Sequence, residues 1–327
     1  MINNLAVARP PGDDSRRDSF FLPKLKYRLF IPGKLSSMKA DVTSRTAQYM
    51  ALFRALETTR SKDRRLFTDK FASWFLDRQL KVGVWLCHIP GWRSFAEWII
   101  RKKIPGALSS GIARTKYIDD LLQQAVAHGA QQVYILGAGF DTRGLRLPFL
   151  RSLKVVEIDH PNTAAYKLAK LRAHKLPAKV YYYQIDFNKQ SLDQLSALNN
   201  FDFTLPTAII WEGVTNYLNK DAIDSTFAFL QRFEPGSRVI FTYVHQAVLD
   251  NPAAFYGGEK LLKDVADLEE KWTFGFDPAA LPAYLRQFNF QLLEDLGASE
   301  YREQYLPART EKGYEFYRVA CAERTAE

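Results

Sequence analysis

Three carboxylates close runs of residues suited to buried strands. Asp159 ends KVVEID (154–159), Asp186 ends VYYYQID (180–186), and Glu212 stands in TAIIWEG (207–213). Upstream, the apolar run 133–136 breaks into Gly137-Ala138-Gly139, and Asp141 and Arg143 follow in LGAGFDTR. A strand that stops at Gly-x-Gly lets a ligand lie against its backbone, and an acid after the next strand can accept from both hydroxyls of a ribose. One acid at a strand end is ordinarily a turn or cap residue. Three at successive ends of one sheet, beside Gly-x-Gly, point to a nucleoside-type ligand in a shared crevice.

The third glycine of a dinucleotide fingerprint is missing, because Thr142 stands three places after Gly139. A pyrophosphate close to the following helix is therefore disfavoured. S-adenosylmethionine has no pyrophosphate, and its methionine end carries an ammonium and a carboxylate that ask for an acid and an arginine. Glu212 and Arg114 are the candidates, the arginine if a helix beginning near Ile112 starts beside the crevice.

The elements that must hold these residues follow a strand–helix rhythm. A helix is predicted over 112–128, ending at Gly129, followed by the Gly137 strand and the strands 154–159, 180–186, 207–213 and 238–244. Helices over 163–174, 191–198 and 221–233 separate them, which predicts a mostly parallel sheet covered on both faces. Residues 245–277 break the rhythm and read as a helical insertion over the sheet's upper edge. After a helix over 278–287, two apolar runs, 290–296 and 314–322, are joined by a loop too short for a crossover helix, so an antiparallel closing pair is expected. Before the core, helices are predicted through Glu57, with Thr43 or Ser44 as cap, and over 69–80, followed by an aromatic-rich stretch around Trp85, Trp92, Phe95 and Trp98. The expected organisation is a mobile basic arm over 1–40 and one domain over 41–327. That domain divides into a helical lid (41–111), a cofactor-binding core (112–244), an insertion (245–277) and closing strands (278–327).

Composition limits the classes of function. Hydrophobic content of 47% with 25% charged residues is that of a soluble globular protein. The two cysteines, Cys87 and Cys321, have no metal or redox spacing and suit a reducing compartment such as the cytoplasm. No apolar run reaches membrane-spanning length, and the first twenty residues have no signal-peptide pattern. The net charge of +9 is uneven: residues 1–110 hold 21 Lys and Arg against 9 Asp and Glu, while the remainder holds 24 against 27. A basic amino-terminal third raises nucleic acid as a partner. No Asp/Asn-Pro-Pro-Tyr box or Pro-Cys nucleophile accompanies it, so nucleic-acid methylation is not expected.

Residues 41–324 resemble the leucine carboxyl methyltransferase family, in its bacterial branch that includes polyketide carboxyl methyltransferases. The match is carried by TAQYMALFRALE (46–57), LFTDKFA (66–72), ARTKYIDD (113–120), LGAGFDTR (136–143), VVEIDHP (155–161), WEGVTNYL (211–218) and FGFDPAAL (274–281). The resemblance implies a class I methyltransferase fold, a Rossmann-like α/β sheet of seven strands with an antiparallel carboxyl-terminal pair. It implies S-adenosylmethionine as cofactor, with Arg114 on the methionine carboxylate, Gly137, Ala138, Gly139 and Asp141 lining the approach, and Asp159 on the ribose. Asp186 with the Phe187 backbone would take the adenine, and Glu212 would lie by the methionine end. A family lysine in the amino-terminal segment has no assured counterpart; Lys39 and Arg45 are the nearest.

Methyl transfer from a sulfonium is an in-line displacement in which the protein mainly aligns the acceptor and excludes water. A carboxylate acceptor is already ionised at neutral pH, whereas a hydroxyl needs a general base. Tyr217, Arg143 and His245 are the candidates for acceptor-side chemistry. Each has a bland alternative: a buried tyrosine, a turn pair with Asp141, and a structural histidine. The resemblance favours carboxyl O-methylation of a small molecule or polyketide-type metabolite, with a hydroxyl acceptor, a protein carboxyl terminus or cofactor binding without transfer as alternatives.

Overall fold

Runs dense in Val, Ile and Tyr make a seven-stranded sheet in the order β3-β2-β1-β4-β5-β7-β6. The computed structural model describes residues 45–175, 180–187, 189–197, 201–267 and 271–326. The expected arm over 1–40, with Lys39, lies outside these residues. In the core, β1 (Gln132–Leu136), β2 (Lys154–Asp159), β3 (Val180–Gln184), β4 (Thr207–Trp211) and β5 (Arg238–Val244) pair in parallel. β6 (Phe290–Gly297) and β7 (Tyr317–Arg324) add antiparallel, β7 against both β5 and β6. Every residue of β1 and β4 is buried, as expected of strands covered on both faces.

The period of two along each strand divides the core into two faces. Tyr134, Ile209, Trp211 and Phe241 face one side, where they meet Phe227 and Leu230. Val133, Ile135, Ile210 and Ile240 face the other, against Ile118, Leu121 and Leu122. In chain order the helices begin with α1 (Arg45–Thr58), α2 (Arg78–Leu86), α3 (Trp92–Lys103) and α4 (Ala107–Ala127). Next come α5 (Arg143–Arg146), α6 (Pro161–Ala173), α7 (Leu192–Ala197) and α8 (Lys220–Leu230). After β5 come α9 (Gln246–Asp250), α10 (Gly258–Asp267), α11 (Leu281–Arg286) and α12 (Ala298–Tyr305). The amino-terminal helices have a core of their own: Phe53 and Leu56 of α1 pack with Phe75, Val84, Leu108 and Phe140.

Several boundaries differ from the sequence reading, each for a local reason. The helix expected over 69–80 is a single tight turn, Ala72–Phe75, followed by α2. Asp69 draws the chain into a turn by accepting from the Phe71 and Ala72 N–H groups, and Asp77 then caps α2 by accepting from Leu80 N. α4 starts at Ala107 rather than Ile112, because Gly106 supplies a left-handed entry at φ 75°. Between β6 and β7 the chain forms α12, where a loop is predicted. The Gly297 N–H donates to Glu300 Oε2 at 2.5 Å, which closes the helix start, and the strand pair is antiparallel all the same.

Asp69 also ties the lid to the core. Its buried carboxylate accepts from Arg54 Nε of α1 at 2.9 Å and from Thr142 Oγ1 at 2.6 Å. Removing one partner leaves Arg54 buried without its counter-charge. Asp69→Ala is therefore expected to cost about 3 kcal/mol or more of unfolding free energy in a denaturant titration; a loss within error of zero would show that the lid does not depend on this pair.

Candidate functional site

The carboxyl ends of β3, β2, β1 and β4 open into one cavity of about 530 Å³. The parallel order brings the loop after each strand to the same edge, so residues far apart in sequence become neighbours. The β1 loop is shaped by Gly137 and Gly139, at φ 63° and 48°. A Cβ on Gly137 would lie 2.1 Å from Val214 Cγ2, so this glycine is required for the β1 and β4 loops to touch. The Gly139 N–H donates to Asp159 Oδ2 at 2.6 Å, and the His160 N–H donates to Oδ1 at 2.7 Å. Asp159 is thereby fixed in orientation at the cavity wall. Ile185, Asp186 and Phe187 line the cavity beside it, and Lys189 Nζ sits 2.8 Å from Asp186 Oδ2.

At the β4 end, Glu212 is clamped between two guanidinium groups. Arg114 Nε donates to Oε1 at 3.0 Å and Arg143 Nη1 donates to Oε2 at 2.9 Å. Burial works against the charge of Glu212, but Arg143 and Arg114 outweigh it and hold the carboxyl below its usual range. The arginines are held in turn. Arg114 lies 4.6 Å over the Tyr317 ring and donates to Met50 Sδ at 3.2 Å. Arg143 donates through Nε to Asp119 Oδ1 at 2.8 Å and also pairs with Asp141. Arg146 closes the chain with two bonds to Asp119, at 2.6 and 2.7 Å.

The sequence-predicted residues fall into two groups. Arg114, Gly137, Ala138, Gly139, Asp141, Asp159, Asp186, Phe187, Glu212 and Tyr217 all line the one cavity. Arg143 and His245 are not among its lining residues. Arg143 is buried, its bonds spent on Asp119, Asp141 and Glu212. His245 caps α9 by accepting from Ala247 N at its Nδ1, 3.1 Å away.

The other half of the cavity is walled largely from the segment expected to form a helical insertion over the sheet's upper edge. Leu261 and Val265 of α10, Trp272, Tyr314 and Tyr317 enclose it. Tyr314 sits at φ 67°, a conformation that bulky residues rarely adopt and that clusters at functional sites. It is carried there by Gly313, whose backbone packs against Pro105 and Gly106 so closely that a Cβ would lie 2.4 Å from Pro105 O. The sequence signal was the Lys-Gly-Tyr of residues 312–314, a glycine beside an aromatic.

The model of a family described as leucine carboxyl methyltransferase matches residues 47–231, from α1 to the end of α8. The chain belongs to that family. A Streptomyces coelicolor protein named as an S-adenosyl-L-methionine-dependent methyltransferase is 32% identical over 212 residues, 64% of this chain and 72% of the relative. A Streptomyces avermitilis protein named in the same way is 32% identical over 208 residues, covering 63% and 70%. A solved Thermobifida fusca structure described as a methyltransferase superposes with a TM-score of 0.51 at 20% identity, over 85% of this chain and 94% of that one. The sheet is accordingly that of a class I methyltransferase, and the chain is a methyltransferase dependent on S-adenosylmethionine.

In this family member the ionic cluster under the cavity should govern acid stability. Asp141 is burdened by burial, yet Arg143 and Lys167 bring its carboxyl down to about 2. A carboxyl depressed on folding stabilises the protein above its unfolded pKa, and that stability is lost as pH falls through the folded value. Asp141→Asn should be less stable than the parent by about 2 kcal/mol at neutral pH. The gap should close between about pH 4 and about pH 2 in melting curves recorded against pH. A gap constant across that range would remove Asp141 as the source.

Proposed function

We propose that the chain methylates a carboxylate oxygen of an apolar small molecule, forming a methyl ester. The observation that carries this reading is the division of one cavity into a charged half at four strand ends and a half walled mainly by aromatic and aliphatic side chains, with Asp264 of α10 among them. The residues fit the cofactor. Asp159, held by two backbone N–H groups, presents its carboxylate to a ribose. Asp186 and the Phe187 backbone suit an adenine. Glu212 suits an ammonium, and Arg114 a carboxylate. The glycine backbone at Gly137, Ala138 and Gly139 leaves room for close approach. When bound, the sulfonium supplies an electrophilic methyl group.

What this chain adds is alignment and dryness. Arg143, Asp119 and Asp141 keep Glu212 and Arg114 from rearranging. α10 and Trp272 cover the acceptor half. Burial, opposed by Arg114, pushes the Tyr314 phenol upward, so it stays protonated at neutral pH. A protonated phenol can donate to an acceptor carboxylate but cannot serve as the base that a hydroxyl acceptor requires. Tyr217, also at the wall, is assigned the same orienting role, while Arg143 acts through Glu212 and His245 takes no part. The reducing cytoplasm suits this assignment, with both cysteines free and buried.

Asp159→Ala should weaken S-adenosylmethionine binding about a hundredfold in calorimetry, from two lost bonds to a charged acceptor. Unchanged affinity would remove the ribose assignment. Incubation with methyl-labelled cofactor and a panel of apolar carboxylic acids should give a product whose label is released by mild base. A base-stable label would mean an ether, and the carboxylate reading would fail while methyl transfer stood.

A further inference from the structure

The lid hairpin formed by α2 and α3 turns its most apolar side chains outward. Trp85 is 67% exposed, Trp98 52% and Phe95 49%, with Val82, Ile89 and Trp92 exposed beside them. On α3, Trp92, Phe95 and Trp98 recur every three residues and so share a face. Their ring centroids lie 5.8 and 6.1 Å apart in sequence order, a continuous aromatic strip. The inward positions of the hairpin are filled: Val84 and Cys87 pack in the lid core, and Glu97 is buried where Arg60, Arg93 and Arg309 surround it. The aromatics are outward in addition to a completed interior, not in place of one.

The rim of this face is cationic. Arg78 and Lys81 on α2 and Lys102 and Lys103 at the end of α3 are exposed, and the sole acid within residues 78–103 is the buried Glu97. Soluble monomers rarely leave a contiguous apolar patch of this kind uncovered. Trp and Phe on one face with Lys and Arg around it is the composition of a helix lying in a bilayer interface, where indole rings settle at headgroup level and basic side chains meet anionic lipid.

We propose that the α2–α3 hairpin docks this protein on an anionic lipid surface. Among the described residues no helix is long and apolar enough to cross a membrane, so the contact is peripheral. A second copy of the chain would bring one cationic rim against another, whereas phosphate headgroups complement it. The placement also bears on the cavity. Ile104, directly after α3, lines it, and the Lys103 carbonyl accepts from Lys260 Nζ of α10 at 2.5 Å. Docking therefore seats the roof of the apolar half beside the lipid.

The test uses the full chain with vesicles of phosphatidylcholine alone or mixed with phosphatidylglycerol. Co-sedimentation is expected with the mixed vesicles and not with the neutral ones, accompanied by a blue shift of tryptophan emission. Trp85→Ser, Trp92→Ser, Phe95→Ser and Trp98→Ser combined should reduce partitioning about tenfold or more while leaving the melting temperature and label transfer to a soluble acid unchanged. Lys102→Glu with Lys103→Glu should weaken it about tenfold at low salt. No sedimentation with either vesicle would overturn the proposal. So would full binding by the serine variant, which would move the contact to residues outside the hairpin. Light scattering that shows a dimer broken by the serine substitutions would give the face to a second copy and equally end the proposal.

Discussion

Glu212 sits between Arg114 and Arg143, and most of the site depends on that clamp. Burying a carboxylate is costly unless its oxygens are matched, and here each oxygen accepts from a different guanidinium. Each arginine is anchored on a separate element, Arg114 in α4 and Arg143 at the start of α5, while Glu212 follows β4. The pair of bonds therefore locks a helix, a turn and a strand end into one relative position. Through Asp119 and Arg146 the lock continues to Asp69, whose partner Arg54 belongs to α1. The lid is thus referenced to the same charges that line the cavity, and a shift in any one element would leave an unmatched ion below the floor.

The strand ends were legible in the sequence because two regularities coincide there. Apolar runs of strand length recur between helical stretches, and the first four stop at a glycine or an acid. Asp159, Asp186, Glu212 and the Gly137 turn accordingly reach one cavity, and the closing pair is antiparallel as expected although its connection holds a helix. The helix over 69–80 was misread because its pattern is apolar enough for a helix, while the side chain of Asp69 captures the backbone first. The α12 helix was hidden for a similar reason: a helix of eight residues leaves little periodicity to detect.

The half of the cavity away from the strand ends was the least legible part. Its wall comes from α10 and Trp272, in the insertion expected over the sheet's upper edge, and from the run before β7, but nothing in the pattern singles out which of their side chains face the cavity. Tyr314 reaches its position through an uncommon backbone angle, and only the glycine before it hints at one in the sequence. His245 shows the converse, a residue whose type invites a catalytic reading while its ring is occupied in holding a helix start.

The cavity's two halves come from different stretches of the chain. Nearly all of the charged half lies within residues 114–212, whereas α10, Trp272 and Tyr314 lie beyond residue 257 and past the end of the family match. The family match therefore spans the ionic floor and stops short of the wall that α10, Trp272 and Tyr314 supply. A substitution at Leu261, Val265 or Trp272 can consequently reshape that wall without touching the ions of the floor.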